Sequence, residues 1–302
     1  MNENLILKSM METRKPEWLK INLPGGTQCQ TVKSVLQRYH LCTVCDEAHC
    51  PNKEECWSRK TATFMILGDS CTRNCRFCAV HSGITLPPDP KEPAGIAEAI
   101  ALLDLDYAVI TCVTRDDLPD GGAAHWAACI REVRKRNPAC RIEILISDLQ
   151  GNLKDLDTIL DAAPDVIGHN LETVPRLYPQ VRPQADYLRS LEILRHASEQ
   201  GFISKTGIML GLGENAPEVE ALIRDSIEQC VSVFTIGQYL QPSRKHLPIR
   251  EYVSPETFAL YREYAMQAGM RYVLSGPLVR SSYQAKDAFQ YLHAGNGKGN
   301  KK

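Results

Sequence analysis

No stretch of the 302-residue chain comes near the ~20 consecutive apolar residues that a bilayer-crossing helix requires. The opening residues, Met1-Asn2-Glu3-Asn4-Leu5-Ile6-Leu7-Lys8, lack the apolar core of a secretory leader, so a cytoplasmic protein with reduced thiols is expected. One-signed charge is missing as well. Lys and Arg number 35 against 36 Asp and Glu, a net of -1, which gives nucleic acid or an anionic membrane no general reason to bind. What remains is 43% hydrophobic and 24% charged, enough to bury one large core or two modest ones under an ordinary polar surface. The tail, Gly295-Asn296-Gly297-Lys298-Gly299-Asn300-Lys301-Lys302, has nothing apolar to bury, and residues 286–302 are expected to be a disordered basic tail.

Against these absences stand twelve cysteines, six of them in two triplets: Cys45, Cys50 and Cys56 spaced C-x4-C-x5-C, then Cys71, Cys75 and Cys78 spaced C-x3-C-x2-C. Three thiolates bind three irons of a cubane and leave the fourth iron for another ligand, an arrangement suited to chemistry rather than to simple electron carriage. Two clusters, each with one unusual corner, are therefore expected. A zinc knuckle made of Cys42-x2-Cys45 and Cys75-x2-Cys78 is the bland alternative. It would span a 29-residue gap and leave Cys50, Cys56 and Cys71 without a role. A two-cluster electron carrier is another alternative, but it would use four cysteines per cluster where the motifs here are triplets.

Short β-rich runs recur at 63–67, 107–111, 142–146, 166–168, 207–210 and 233–236. Amphipathic helical stretches follow most of them, as at 124–135, 185–198, 216–228 and 255–268. Strand, crossover and helix in repetition imply a parallel α/β sheet. Six units suit a partial TIM-type barrel over residues 60–285, with functional loops at the carboxyl ends of its strands; residues 1–59 form a cysteine-rich extension, and the segment near the carboxyl terminus closes over the barrel mouth. An open Rossmann-like sheet would show the same alternation.

Cys71-Thr72-Arg73-Asn74-Cys75-Arg76-Phe77-Cys78 resembles the cluster motif of the radical S-adenosylmethionine superfamily, whose fold is a partial six-unit barrel. Gly207-Ile208-Met209-Leu210-Gly211-Leu212-Gly213-Glu214 is similar to its fifth-strand motif, where glycines let backbone approach the adenine. The resemblance implies two 4Fe-4S clusters and S-adenosylmethionine as cofactors, with cofactor contacts at Phe77, Thr114, Asp116, Asn170, Glu172, Arg189, Gly211 and Glu214. Capping by Thr, Asp and Asn explains part of that set equally well.

The likeness narrows to one sulfur-inserting branch of the superfamily through Arg14-Lys15-Pro16-Glu17-Trp18-Leu19-Lys20, Cys45 to Cys56, Arg115 to Ala123, His169 to Tyr178, Gly237 to Pro242 and Ser275 to Tyr283. That branch implies a sulfurtransferase that inserts two sulfur atoms, at C6 and C8, into a protein-bound octanoyl-lysine to make a lipoyl group. It uses two molecules of S-adenosylmethionine and sulfur from an auxiliary cluster on Cys45, Cys50, Cys56 and a serine of Arg280-Ser281-Ser282-Tyr283. The serine is expected to be Ser282, with Ser281 the alternative; an alkoxide suits soft iron less than thiolate and should open more readily. Biotin-forming or methylthio-transferring relatives would use other auxiliary ligands. The implied partners are octanoylated lipoyl-carrier domains (glycine cleavage H protein, E2 domains of 2-oxoacid dehydrogenases), an electron donor such as ferredoxin or flavodoxin, and iron-sulfur assembly proteins.

A hydrogen atom taken from an unactivated carbon needs a radical rather than a base, so none of the eight histidines, His49, His125 and His169 included, is expected to be catalytic. Lys286 stands where the resemblance leads one to expect an acid. Cys29, Cys42, Cys112, Cys129, Cys140 and Cys230 are expected to be small buried apolar groups, Cys42 being the one close enough to Cys45 to compete for metal.

Overall fold

The computed structural model describes residues 15–20, 27–58 and 62–296. The first fourteen residues, the domain boundary at 59–61 and the tail beyond Asn296, on which several expectations fall, lie outside the described residues. Ten strands follow in chain order: β1 Cys42–Thr43, β2 Thr63–Ile66, β3 Ser70–Cys71, β4 His81–Ser82, β5 Tyr107–Cys112, β6 Arg141–Leu145, β7 Val166–Gly168, β8 Ile203–Leu210, β9 Val233–Gln238 and β10 Tyr272–Ser275. Eight make one sheet in the order β1-β2-β5-β6-β7-β8-β9-β10, parallel throughout except for the antiparallel β1 at its edge. Consecutive parallel strands stay neighbours without a reversal. A doubly wound sheet reverses its order at a switch point, so this sequential order is not Rossmann-like. The edges β1 and β10 do not pair with each other, and the arrangement stays open.

Expected strands and helices fall close to the observed ones, and the sheet gains two that periodicity misses. β1 has only two residues, and β10 is a four-residue run after the last long helix. The crossover helices are started by local chemistry. Asn215 and Glu218 form a reciprocal capping box before Ala216–Glu228, and Asp186 and Ser254 cap Tyr187–Glu199 and Pro255–Gln267. Their apolar faces, among them Trp126, Ile130, Ile193, Leu222 and Phe258, are buried in the two large core clusters.

The carboxyl-terminal region departs from expectation in two ways. Residues 285–296 form a helix, so the expected disordered tail does not begin at 286. Ala285, Ala288, Phe289 and Leu292 recur at helical spacing and face Tyr107, Val109, Val166 and Val233, apolar surface that charged Lys286 and Asp287 hide from a composition reading. Tyr107, Val166 and Val233 begin their strands, so this helix covers the amino-terminal end of the sheet, opposite the mouth. Only the strap before it, residues 276–283, reaches the mouth. Lys286 pairs with Asp106 on the surface.

The strap crosses β9 at Gly237, where a Cβ would stand 2.1 Å from the Val279 carbonyl oxygen. Gly237→Ala must therefore push the strap outward. The expected cost is about 1–3 kcal/mol in denaturant unfolding, as for other overpacked sites, with little change at a glycine in open space such as Gly201 once its positive φ is allowed for.

Candidate active site

A cavity of about 440 Å³ opens at the carboxyl ends of the strands. Its wall takes Cys71, Cys75, Phe77 and Cys78 from the loop after β2, Thr114 from the loop after β5, Asp148 after β6, and His169, Asn170 and Glu172 after β7. Tyr239 and Gln241 follow β9; Arg280 and Ser281 come from the strap; Ala48, His49 and Pro51 come from the extension. One space thus receives groups from both cysteine motifs and from the Arg280–Tyr283 segment.

The loop that carries the second triplet is pinned at its stem and along its length. Leu67, buried and at φ +69, donates its N–H to Glu92 Oε2 (2.9 Å), while its carbonyl accepts from Arg115 Nη1 (3.0 Å). His125 Nε2 lies 2.6 Å from the same Glu92 oxygen, and Asp117 holds Arg115 through two bonds of 2.8 Å. A backbone held in the left-handed region by this many partners is strain that the surroundings over-determine, a frequent feature of functional loops. Further along, Thr72 is bonded to the Thr114 carbonyl and the Asp116 N–H, Arg73 forks onto Asp116 (2.6 and 2.9 Å) and reaches Asp148 (2.5 Å), and Thr85 bonds Asp117. The short β3–β4 pair closes the neck. Asp116 therefore serves the loop rather than the cavity wall.

Burial pushes the Cys78 thiol up to about 12, with Cys75 and Cys71 beside it adding to the shift; Cys75 itself rises to about 11, chiefly through burial. Two buried thiols raised this far need a cation beside them to become thiolates. Although burial works against it, the Arg73 guanidinium holds the Asp148 carboxyl down at about 2.

Glu172 sits at φ +67, its N–H bonded to the Gly207 carbonyl (2.9 Å) and its carbonyl to the Met209 N–H (2.9 Å), which aims its side chain at the cavity. Asn170 Nδ2 donates to Glu172 Oε1 (3.1 Å), and Arg182 donates to the Asn170 carbonyl (2.7 Å). Burial raises the Glu172 pKa, with Arg182 opposing. Among the described residues, Asn170 Oδ1, Arg182 Nε and His169 Nε2 are buried without a hydrogen-bond partner, and all three residues line the cavity. Such orphans are what a polar ligand satisfies on binding. Burial, then the Arg182 charge, pulls His169 down to about 4, so it faces the cavity neutral. Gly207 also lies on the wall, where a Cβ would meet Thr235 Oγ1 at 2.2 Å.

Of the eight expected cofactor contacts, Phe77, Thr114, Asn170 and Glu172 line the cavity. The other four hold the scaffold. Asp116 grips Arg73, Arg189 approaches Asp148 at 3.5 Å, and the Glu214 carboxylate accepts the N–H groups of Gly211 and Leu212. A Cβ on Gly211 would strike Gln238 and the Glu251 carbonyl, so this glycine serves protein packing. Sequence reasoning missed Arg182, Tyr239 and Arg280 as wall residues and took His169 for packing. Arg182 lies in no motif; His169 and Arg280 stood inside quoted segments.

The first triplet is carried by two short helices, Val44–Glu47 with Cys45 and Lys53–Ser58 with Cys56, and by the turn between them with Cys50. Buried Asn52 ties it to the strap through Nδ2 to the Leu278 carbonyl (2.7 Å), and Tyr283 OH donates to Glu55 Oε1 (3.2 Å). Burial raises the thiol pKa values of Cys45 and Cys50; Cys50 adds to the rise at Cys45, and Arg280 works against it at Cys50. Ser281 borders the main cavity, whereas Ser282 borders a small interior pocket with Glu143 and Lys205; Ser281 touches that pocket too. Cys45, Cys50 and Cys56 line neither space, so the extension and the serine strap are joined by the Asn52 and Tyr283 bonds and not by a shared wall.

None of the twelve cysteines is in a disulfide. Cys129 and Cys140 are buried as expected, but Cys230 is exposed at φ +58 just past a helix end, and Cys112 stands on the cavity wall near Cys71. Periodicity marks a strand end such as Cys112 without telling which face of the end is open. Cys42 pairs in β1 and is absent from the wall.

Residues 65–226 match the family model of the Radical SAM superfamily, and residues 1–50 match the N-terminal domain of lipoyl synthase of that family. Proteins named lipoyl synthase share 55% identity over 273 residues in Parabacteroides distasonis (90% of this chain, 97% of that one) and 52% over 275 residues in Chlorobium chlorochromatii (90% and 94%). The chain belongs to the lipoyl synthase family. Solved structures show the same fold at low identity: methylornithine synthase has a TM-score of 0.55 at 12% identity (93% of this chain, 83% of that one). The FeFe-hydrogenase maturase HydG of Carboxydothermus hydrogenoformans has 0.54 at 14% (76% and 65%). Membership in the lipoyl synthase family implies 4Fe-4S clusters and S-adenosylmethionine, and the residues on the cavity fit one cluster with the cofactor beside it: the thiols of Cys71, Cys75 and Cys78 and the orphaned polar atoms of His169, Asn170 and Arg182. Among the described residues, no helix is long and apolar enough to cross a membrane.

Proposed function

We propose that this protein inserts sulfur at C6 and C8 of an octanoyl group amide-linked to a lysine of a carrier domain, giving a lipoyl group. The observation that carries the reading is convergence: the second triplet, residues flanking the first triplet and the Arg280–Ser281 strap border one cavity with a largely apolar remainder. Relatives named lipoyl synthase at about half identity over nearly the whole chain support it. When bound, the two clusters and S-adenosylmethionine supply a 5′-deoxyadenosyl radical and transferable sulfur.

The chain's own part is holding and excluding. Cys71, Cys75 and Cys78 hold one cluster; Cys45, Cys50, Cys56 and Ser282, or Ser281, hold the other. Phe77, Asn170, Glu172 and Arg182 hold the methionine and nucleoside portions of S-adenosylmethionine. Thr114, Asp116, Arg189, Gly211 and Glu214 set the loops around it. Ile208, Met209 and Val279 give the acyl chain an apolar path, and a reacting carbon held at near contact favours transfer over side reactions. Residues 1–59 act as the auxiliary-cluster extension and 60–285 as the barrel. Lipoyl-carrier domains are the substrates; a ferredoxin or flavodoxin and iron-sulfur assembly proteins are the further partners, in the cytoplasm.

The deciding experiment is anaerobic incubation of reconstituted protein with an octanoyl-lysine carrier domain, S-adenosylmethionine and dithionite. Mass spectrometry should find two sulfurs gained and two hydrogens lost, together with 5′-deoxyadenosine. Formation of 5′-deoxyadenosine with an unaltered carrier would refute the sulfur-insertion reading.

A further inference from the structure

Reductive cleavage of a sulfonium consumes one electron per event, so a reductant must reach the cysteine loop from the protein surface. Arg76 lies between Cys75 and Cys78, yet it is exposed and is not part of the cavity wall. Its N–H donates to the Val181 carbonyl (2.8 Å), and its own carbonyl accepts from the Leu247 N–H (3.1 Å), so the turn at 243–247 is laid against the back of the cysteine loop. His246 completes the join. Its Nδ1 meets Ser243 Oγ (2.9 Å) and its Nε2 meets the Cys78 carbonyl (2.9 Å), a hydrogen-bonded link from a surface turn to a cysteine of the loop.

That turn also presents Arg244 and Lys245, both exposed. Among the described residues, no carboxylate comes within ion-pair distance of Arg76, Arg244 or Lys245; Arg136, Arg176 and Arg195 are paired, while exposed Arg131, Arg250 and Arg262 are not, so what sets this patch apart is its place against the cysteine loop. On a chain of net charge -1, three exposed cations held together by the Arg76–Leu247 bond and the 243–247 turn make a positive patch beside the cysteine loop.

Resting on the proposed radical chemistry, we propose that Arg76, Arg244 and Lys245 form the docking face for an acidic one-electron carrier protein. Charge complementarity steers the carrier to Arg76 and the 243–247 turn, none of which lines the cavity. The reduced carrier loses one electron, the cluster on Cys71, Cys75 and Cys78 gains it, and no atom or proton changes hands.

The test uses the full-length, iron-loaded protein, its Arg244→Glu/Lys245→Glu variant, and an acidic [2Fe–2S] ferredoxin. Calorimetry with the oxidised ferredoxin should give a Kd that rises with ionic strength for the parent and is about tenfold or more weaker in the variant. Cleavage of S-adenosylmethionine driven by reduced ferredoxin should show the same rise in KM, while cleavage driven by dithionite, which needs no docking, stays at the parent rate. Equal ferredoxin affinity in the two proteins, or affinity indifferent to salt, overturns the proposal. So does a loss of affinity for the octanoyl-carrier domain in place of ferredoxin, which would assign the face to the acyl donor. The binding arm needs no sulfur insertion, so it separates this proposal from the activity reading.

Discussion

Replacing Cys75 by alanine is expected to abolish both 5′-deoxyadenosine production and lipoyl formation, whereas Cys56→Ala should abolish lipoyl formation and keep cofactor cleavage. The difference follows from which loop each thiol serves. Cys75 lies between Cys71 and Cys78 on the loop pinned by Arg73, Thr72 and the Leu67 stem, and an incomplete thiolate set there leaves no redox centre beside Asn170, Glu172 and Arg182. Cys56 sits on a separate helix tied to the strap, and its removal leaves the pinned loop and the orphaned polar atoms as they are. Chromatographic quantitation of 5′-deoxyadenosine, with mass spectrometry of the carrier and iron content of each variant, checks both halves. Intact lipoyl formation by Cys56→Ala would remove the sacrificial role of the first triplet. The alanine variants should bind about half the parent's iron, because either triplet can still hold its own cluster.

The spacing of the six cysteines was legible because metal ligation is written in local sequence: the second triplet lies within one loop and the first within two short consecutive helices and the turn between them. The sheet was legible for a related reason, since runs such as 107–111 and 233–236 are buried on both faces and read as continuous apolar strands. What could not be read were functions decided by distant pairings. Asp116 looks like a ligand contact in a polar loop, but its partner Arg73 comes from the cysteine loop 43 residues away and uses up its carboxylate. Glu214 is claimed by backbone amides two and three residues before it. Conversely, Arg182 enters the site only because Val181 and Tyr178 are buried around it and its guanidinium caps the carbonyls of Asn170 and Leu171. The terminal helix was misjudged because lysines and glycines dominate the composition of the tail while four apolar residues at helical spacing decide its packing.

Glu143→Ala is expected to destabilise the protein by about 3–5 kcal/mol, the largest stability effect of any single polar substitution proposed for this chain. Glu143 on β6 is level with Val166 and Lys205 on β8 with Gly168 of the strand between them, and their side chains are 4% exposed each, with Nζ to Oε1 at 2.6 Å. Tyr107 OH donates to the second carboxylate oxygen at 2.5 Å, and burial followed by the Glu143 charge drives that phenol far above its ordinary range, so it stays a donor. Both oxygens of the carboxylate are thereby used, and removing it strands an ammonium and a hydroxyl away from water. The cost is that of an uncompensated buried charge and says little about the worth of the intact pair. A double replacement, Glu143→Leu with Lys205→Met, should therefore regain most of the lost stability in urea unfolding even though it deletes more polar contacts. The same pair borders the pocket shared with Ser281 and Ser282, so the double variant offers a second reading. If its stability returns but the auxiliary iron is still lost, the buried charges set the position of the serine strap; if stability does not return, packing around Gly168 and not charge isolation dominates this part of the interior.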